Sequence, residues 1–583
     1  MEPLFHIIDN IMPKRLYYIK NEFGLKKLVE LRQEELVGLS KFKQKIEGLG
    51  NFIWMATDKE FTKLKRFLYE VTETAEEVKQ LGWQREGFFA FGNGVWDGVE
   101  FQKVDDMGIV RLGEIGNYYL PAFSQQYKKD NKLYKFEKTF VHMGYSTLPL
   151  VDFTGQIFRV FGDNGRIGFC FLMATLFRDI VTAETRSFPI LNLFGPKGSG
   201  KSELGHTLMS FFIIGNVPPN IQNATLPALN DTVAAVSNAL VHIDEFKNDI
   251  DLYKREFLKG LWDGTGRTRM NMDLDKKKET TSVDAGIILS GQEMATADIA
   301  LFSRFVYLTF DTSEFTKEQQ AEYNRLKEMR SLGVSHLTLQ LLRHRKKMEV
   351  EFKDFYRMTQ SEMDAALEGE RIEDRIRNNW TILLAVLRTL ESSLAIDIHY
   401  ESMKPVIIDG IKRQNAECKS NNELAGFWRT VKYLLSEGEI INEGDFCIKT
   451  VTSLTTDIVT AADWPASKRV LFLQKSRIFK LYKRSNKMTD EVGIPEASLK
   501  YYLEKSKEYL GEKKSVRFKC FLKGGIPKMS TPKFPGDKSR HVEEVQRAYC
   551  FDYDELVKNY QINLLDTSQI EQETTPDLFD RME

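Results

Sequence analysis

Phe188-Pro189-Ile190-Leu191-Asn192-Leu193-Phe194-Gly195-Pro196-Lys197-Gly198-Ser199-Gly200-Lys201-Ser202 decides how this chain is to be read. The first seven residues form a short apolar run, the pattern of a buried parallel strand. The next eight match the G-x-x-x-x-G-K-[ST] spacing, and a helical pattern follows from Glu203 to Phe212. Strand, loop and helix in that order are what a phosphate needs. Gly195, Gly198 and Gly200 let the backbone amides close around an anion, and the helix turns its positive end toward it. Lys201 is expected to reach the terminal phosphates, and the Ser202 hydroxyl a metal ion. Pro196, Lys197 and Ser199 complete the loop. The expected ligand is a nucleoside triphosphate.

A phosphate loop by itself only binds. Hydrolysis needs a carboxylate to hold Mg²⁺ and a base for water, and Ala239-Leu240-Val241-His242-Ile243-Asp244-Glu245 offers both at the end of an apolar run. Two adjacent acids there are poorly explained by packing, since a carboxylate in an apolar core costs free energy unless partnered. Asp244 is expected to share the metal with Ser202, and Glu245 to polarise the attacking water. His242, alone in the same strand, reads as a packing residue. The next apolar run, Ala285 to Leu289, ends in Ser290-Gly291-Gln292-Glu293. Ser290 or Gln292 could sense the terminal phosphate from between the two catalytic strands. Further on, Ser303-Arg304-Phe305 places Arg304 just before another strand, where an arginine can cross a subunit boundary to a phosphate.

Outward from this core the chain changes character. Residues 1–150 read as an α+β region, helical from Phe61 to Gln80 and then rich in Gly and aromatics with Asn-Gly and Asp-Gly turns. Its aromatics suit either a base-stacking surface or a small β core. Residues 151–315 alternate strands and helices, which implies a parallel sheet covered by helices. A charged helical domain is expected over 316–421, with Asn379 to Leu387 as its most apolar helix. Residues 422–560 read as a basic, winged-helix-like domain: Pro465 to Cys550 holds 21 Lys+Arg against 9 Asp+Glu, interleaved with aromatics. Residues 561–583 read as a disordered acidic tail.

Composition bounds the remaining choices. With 583 residues the chain is too long for one core. Lys+Arg 82 against Asp+Glu 83 excludes a uniformly basic nucleic-acid coat, so nucleic-acid contact must come from local patches. The five cysteines form no C-x-x-C pair, which argues against a zinc ribbon or disulfide framework and for a cytoplasmic protein. No apolar stretch is long enough for a membrane span, and no signal-peptide pattern opens the chain.

The order of phosphate loop, Asp-Glu strand, polar strand end and Ser-Arg-Phe resembles the AAA+ ATPases. More narrowly it is similar to the superfamily 3 type helicases and primase-associated helicases of phages and mobile elements, over about residues 155–400. The resemblance implies an ATP- and Mg²⁺-dependent DNA helicase or translocase acting in replication, working as a ring of six subunits, with Arg304 completing a neighbour's site. It also implies a basic hairpin gripping one DNA strand, and this chain offers Arg267, Arg269, Lys276, Lys277 and Lys278 there. The sequence departs from the family in two places: Ser290 stands where Asn is frequent, and Ser303-Arg304 where paired arginines are. Arg371, Arg375 and Arg377 are open alternatives for a second sensing arginine. Without a zinc ribbon or polymerase carboxylates, a separate primase would make primers. Thr575-Pro576-Asp577-Leu578-Phe579 resembles the end of peptides that dock into sliding clamps. The competing readings are an AAA+ switch in regulation or defence and a P-loop small-molecule kinase.

Overall fold

The computed structural model describes residues 1–564 apart from 10–11, 71–72, 145–146, 216, 249, 271–277, 294–297, 312–315, 332, 421–422, 459–461, 489–493, 507, 524, 532–533, 536–540 and 561. The tail motif at 575–579 and Lys276 and Lys277 therefore lie outside the described residues. Two compact units divide the chain, Met1–Asn415 and Ala416–Glu583, the division falling inside the helix Tyr400–Ser420.

Within the first unit the four apolar runs form one parallel sheet. Its strand order is Leu240–Phe246, Gly286–Gly291, Ile190–Phe194, Phe305–Thr309. Being buried on both faces, these strands read as continuous apolar runs rather than alternating ones. Helices Leu150–Leu176, bent at Gly162, and Lys201–Met209 cover the sheet. The Ser290 strand thus lies between the phosphate-loop strand and the acidic strand.

Two further sheets build the N-terminal part. One has six strands: Lys26–Arg32, Lys14–Lys20, Glu2–Ile8, Glu73–Glu77, Asn117–Tyr119 and Ile109–Arg111, in that spatial order. Here the structure corrects the helix expected over Phe61 to Gln80: the helix is Asp58–Glu70, and Glu73–Glu77 pairs in parallel with Phe5 to Ile8. Two neighbouring strands satisfy its backbone, and that outweighs the helix propensity of Ala and Glu. The second sheet joins Leu81–Trp83, Phe89–Phe91, Gly94–Trp96 and Phe101–Lys103 to Val236–Ser237 of the core. Phe89, Phe91 and Phe140 are fully buried; Phe89 and Phe140 stack with Phe212 and Phe91 packs on Phe140, so these aromatics form a packed core and not a surface for bases.

The second unit packs helices on a four-stranded antiparallel sheet of strands Phe446–Leu454, Ala462–Gln474, Glu543–Asp552 and Tyr509–Lys519. Alternation is strict along the central strands. Leu471, Leu473, Tyr549 and Phe551 join one buried cluster with Phe427, Trp428 and Ile478. Val470, Phe472, Ala548 and Cys550 join another with Val516 and Phe518. None of the five cysteines is joined in a disulfide. Among the described residues no helix is long and apolar enough to cross a membrane.

Candidate functional site

The loop from Gly195 to Ser202 leaves the C-terminal end of the central strand and is shaped by its glycines. A Cβ at Gly195 would stand 2.4 Å from the Phe310 carbonyl oxygen, so only glycine fits where the loop passes the neighbouring strand. Gly198 and Gly200 have φ of 84° and 91°, in the left-handed region, and Gly200 precedes the helix Lys201–Met209. Lys201 is buried and its Nζ donates to the Pro196 carbonyl at 3.2 Å. The Ser199 hydroxyl is buried without a hydrogen-bond partner among the described residues. Buried polar groups are normally paired, so an anion in the loop would satisfy it.

At the end of the acidic strand the backbone departs from the ladder. Pairing with the Ser290 strand shifts register between Ile243 and Phe246, which frees Asp244 and Glu245 from that ladder. Glu245 takes φ 61°, a left-handed conformation costing about 1 kcal/mol or more for a residue with a Cβ. Ser290 Oγ donates to Asp244 Oδ1 at 2.5 Å, and the Glu245 amide donates to the same oxygen at 2.8 Å. Neither bond uses Asp244 Oδ2.

Sequence reasoning passed over His242. Its ring lies 2.7 Å from Ser290 Oγ, and because the single Ser290 proton goes to Asp244, His242 Nε2 is the donor. The ring occupies space left by Gly205 on the phosphate helix, where a Cβ would come within 2.7 Å of it. A buried histidine, Ser290 and Asp244 thus form one hydrogen-bonded chain behind the loop. The signal was present in the polar residue placed mid-strand and the glycine facing it, yet neither alone identifies the contact.

Burial holds His142 and His242 down to about 4, His142 further lowered by His336 and Lys103, and His242 by His206 against the opposing pull of Asp244. In the unfolded chain each protonates near 6.5. Between about pH 6.5 and 4 the unfolded chain binds more protons, so stability is full above that window and falls on acidification through it. Melting temperature is expected to drop from pH 7 to 4.5, less steeply in His142→Asn and in His242→Asn. A slope equal to wild type in both variants would refute this.

Arg304 lies at the other end of the sheet. Its carbonyl accepts from the Ile190 amide at 3.2 Å, at the start of the strand that carries the phosphate loop at its finish. At about 3.3 Å per residue, five residues separate Arg304 from its own loop by about 16 Å. The hairpin strands Thr265–Met270 and Lys278–Ser282 pair antiparallel at that same end, joined to the core through Val283 and Gly264. Arg267 and Arg269 lie on the first strand and Lys278 opens the second.

The three arginines left open by the sequence separate clearly. Arg371 is exposed, Arg377 pairs with Asp364 at 3.1 Å and Asp374 at 2.9 Å, and Arg375 lies over the Trp262 ring beside Arg304. The arginine of the helical region that does meet the phosphate helix is Arg330, 3.0 Å from Glu203. In the second unit much of the basic excess is neutralised, as in Arg477–Asp445, Arg484–Glu439 and Lys468–Asp552. Lys449, Lys480, Lys483 and Lys514 are exposed, with no ion pair among the described residues.

No family model matches this chain, and no curated protein does. Among solved structures it is similar to the active helicase Cch of SCCmec type IV, at 14% identity and a TM-score of 0.54, covering 96% of this chain and 94% of that one. The chain shares the fold of that helicase. The C-terminal region of NrS-1 (9% identity, TM-score 0.25, 70% of this chain and 92% of that one) and the JCV helicase (16%, 0.21, 37% and 69%) also match, too distantly to bear on the function.

Proposed function

We propose that the chain is an ATP-driven DNA helicase or translocase with an AAA+ core of the superfamily 3 type, hydrolysing ATP at the interfaces of a homo-hexameric ring and serving the replication of a phage or mobile element. The observation carrying this reading is the split of polar and charged groups between the two ends of the parallel sheet. Lys201, Ser202, Asp244, Glu245 and Ser290 gather at the C-terminal ends, and Arg304 stands at the N-terminal ends, out of reach of its own loop. Likeness in fold to an active helicase over nearly the whole chain supports it.

In this mechanism the loop amides and Lys201 hold the triphosphate, and Glu245 orients and deprotonates the attacking water. Ser202 and Asp244 Oδ2 would hold Mg²⁺, which when bound supplies positive charge against the phosphate oxygens. The donor set fits: an alcohol and a carboxylate oxygen suit a hard cation. His242 orients Ser290, and Ser290 orients Asp244. The hairpin carrying Arg267, Arg269 and Lys278, with Lys276 and Lys277 nearby in sequence, grips single-stranded DNA, and the exposed lysines of the second unit add backbone contacts.

Single-stranded DNA is expected to raise ATP turnover, and changing Lys276, Lys277 and Lys278 together to Ala to abolish that rise while leaving nucleotide affinity intact. Turnover indifferent to DNA in the wild-type protein would instead favour an ATPase switch.

A further inference from the structure

The hairpin leaves the core at a buried arginine. Arg178 opens the helix Arg178–Thr185 and is 4% exposed, its guanidinium carbon 5.3 Å from the centroid of the Phe188 ring. Nη1 stands 3.8 Å from Asp284 Oδ1, and a Cβ on Gly264 would touch Nη2 at 3.5 Å. Those two residues bracket the hairpin. Gly264, at φ 70°, directly precedes the strand Thr265–Met270, and Asp284 lies just beyond the strand Lys278–Ser282. Between them the Val283 amide donates to the Gly264 carbonyl at 3.3 Å.

The same cluster lies where three strands of the parallel sheet begin. Phe188, whose amide donates to the Trp262 carbonyl at 3.0 Å, leads into Ile190–Phe194. Asn238, whose amide donates to the Asp284 carbonyl at 2.9 Å, leads into Leu240–Phe246, and Asp284 leads into Gly286–Gly291. The far ends of these strands, about 20 Å away at about 3.3 Å per residue, hold the phosphate loop, Asp244 and Ser290. The start of the Arg178 helix is pinned as well. Asn238 Nδ2 donates to Asp179 Oδ1 at 2.5 Å and to the Leu176 carbonyl at 3.1 Å, and Arg345 grips the Asp179 carboxylate.

Packing alone does not call for a charge here. Burial pushes the Arg178 pKa down to about 10, against the pull of Asp284 and then Asp179, so the guanidinium is charged at neutral pH and bears a desolvation cost. Ion pairs taken out of water are often replaceable by apolar residues of similar volume with no loss of stability. The return in hydrogen bonds is small: Nε is buried with no partner among the described residues, and 3.8 Å to Asp284 is longer than a hydrogen bond. A planar fork with unused donors keeps hold of a carboxylate that moves, trading one N–H for another as the hairpin tilts.

We propose that Arg178 is a positioning residue for DNA-stimulated ATP turnover: it holds the root of the hairpin on the starts of the strands that carry the phosphate loop, Asp244 and Ser290, and passes displacement of the hairpin to them. The inference rests on the helicase reading and adds to it the joint through which the DNA and nucleotide sites act on one another. Such coupling is reciprocal, so bound nucleotide also sets the position of the hairpin.

ATP turnover with and without a single-stranded oligothymidylate tests it. Arg178→Lys keeps the charge, and Arg178→Met combined with Asp284→Asn removes both charges of the pair. In each, the ratio of DNA-stimulated to DNA-free turnover is expected to fall by about 2- to 30-fold, further in the double variant. The DNA concentration giving half-stimulation should stay close to wild type in both, which separates the joint from the hairpin lysines that grip the strand. Equal loss with and without DNA in both variants, alongside a lower melting temperature, would make Arg178 a structural residue only. Stimulation as strong as in the wild type would also overturn the proposal, and the helicase reading would stand. Wild-type turnover indifferent to DNA would remove that reading and the joint together.

Discussion

Glu245→Gln is expected to lower ATP turnover by about 100- to 10,000-fold while nucleotide affinity stays within a few-fold of wild type. The substitution keeps the length and a hydrogen-bonding oxygen but removes the basic carboxylate, so it isolates proton abstraction from positioning. The backbone supports the assignment independently. A residue with a Cβ holds φ 61° at a register shift, a conformation that packing alone does not call for. Glu245→Gly relieves that conformation and should lose as much activity without a fall in melting temperature. Glutamine turnover within threefold of wild type would take Glu245 out of the chemistry. Loss of binding alongside turnover would mean that it shapes the pocket instead.

The parallel sheet was legible because its strands are buried on both faces, and such strands are written as unbroken apolar runs. The phosphate loop and acidic pair were legible because their chemistry is local: each motif lies within eight consecutive residues. What escaped is non-local. Glu73–Glu77 has no apolar periodicity of its own and becomes a strand through the backbones beside it. His242 and Ser290 meet because their strands are neighbours, and strand order is not written in either strand. Trp262, Arg304, Arg375 and Asn379 lie on three segments more than a hundred residues apart at the extremes, so Arg375 could not be distinguished from Arg371 or Arg377 by sequence. Composition is incomplete in the second unit for a related reason. A count of Lys and Arg records charge, and ion pairs such as Arg477–Asp445 and Lys475–Glu512 neutralise part of that charge only once the chain is folded.

Arg304→Ala should cost the most among single arginine changes, about 1,000-fold or more in turnover, the scale for a cation supplied to a phosphoryl-transfer site from outside. The direction of that supply follows from the sheet. Arg304 is anchored by the bond from the Ile190 amide, by Asn379 on both flanking carbonyls and by its own bond to the Ala300 carbonyl at 2.6 Å. A side chain so held cannot swing about 16 Å to its own loop without breaking the edge of the sheet. On the proposed reading activity belongs to an interface, and specific activity of the wild-type protein should rise with protein concentration as subunits associate. In Arg304→Ala the low residual rate should lose that dependence, since the associated and free forms then have equally incomplete sites. Arg304→Lys should recover little, because an ammonium lacks the planar fork that meets two phosphate oxygens at once. A wild-type specific activity that stays constant on dilution below the dissociation point seen in sedimentation would place the whole reaction within one chain. Arg304 would then be a structural residue of the Trp262 cluster.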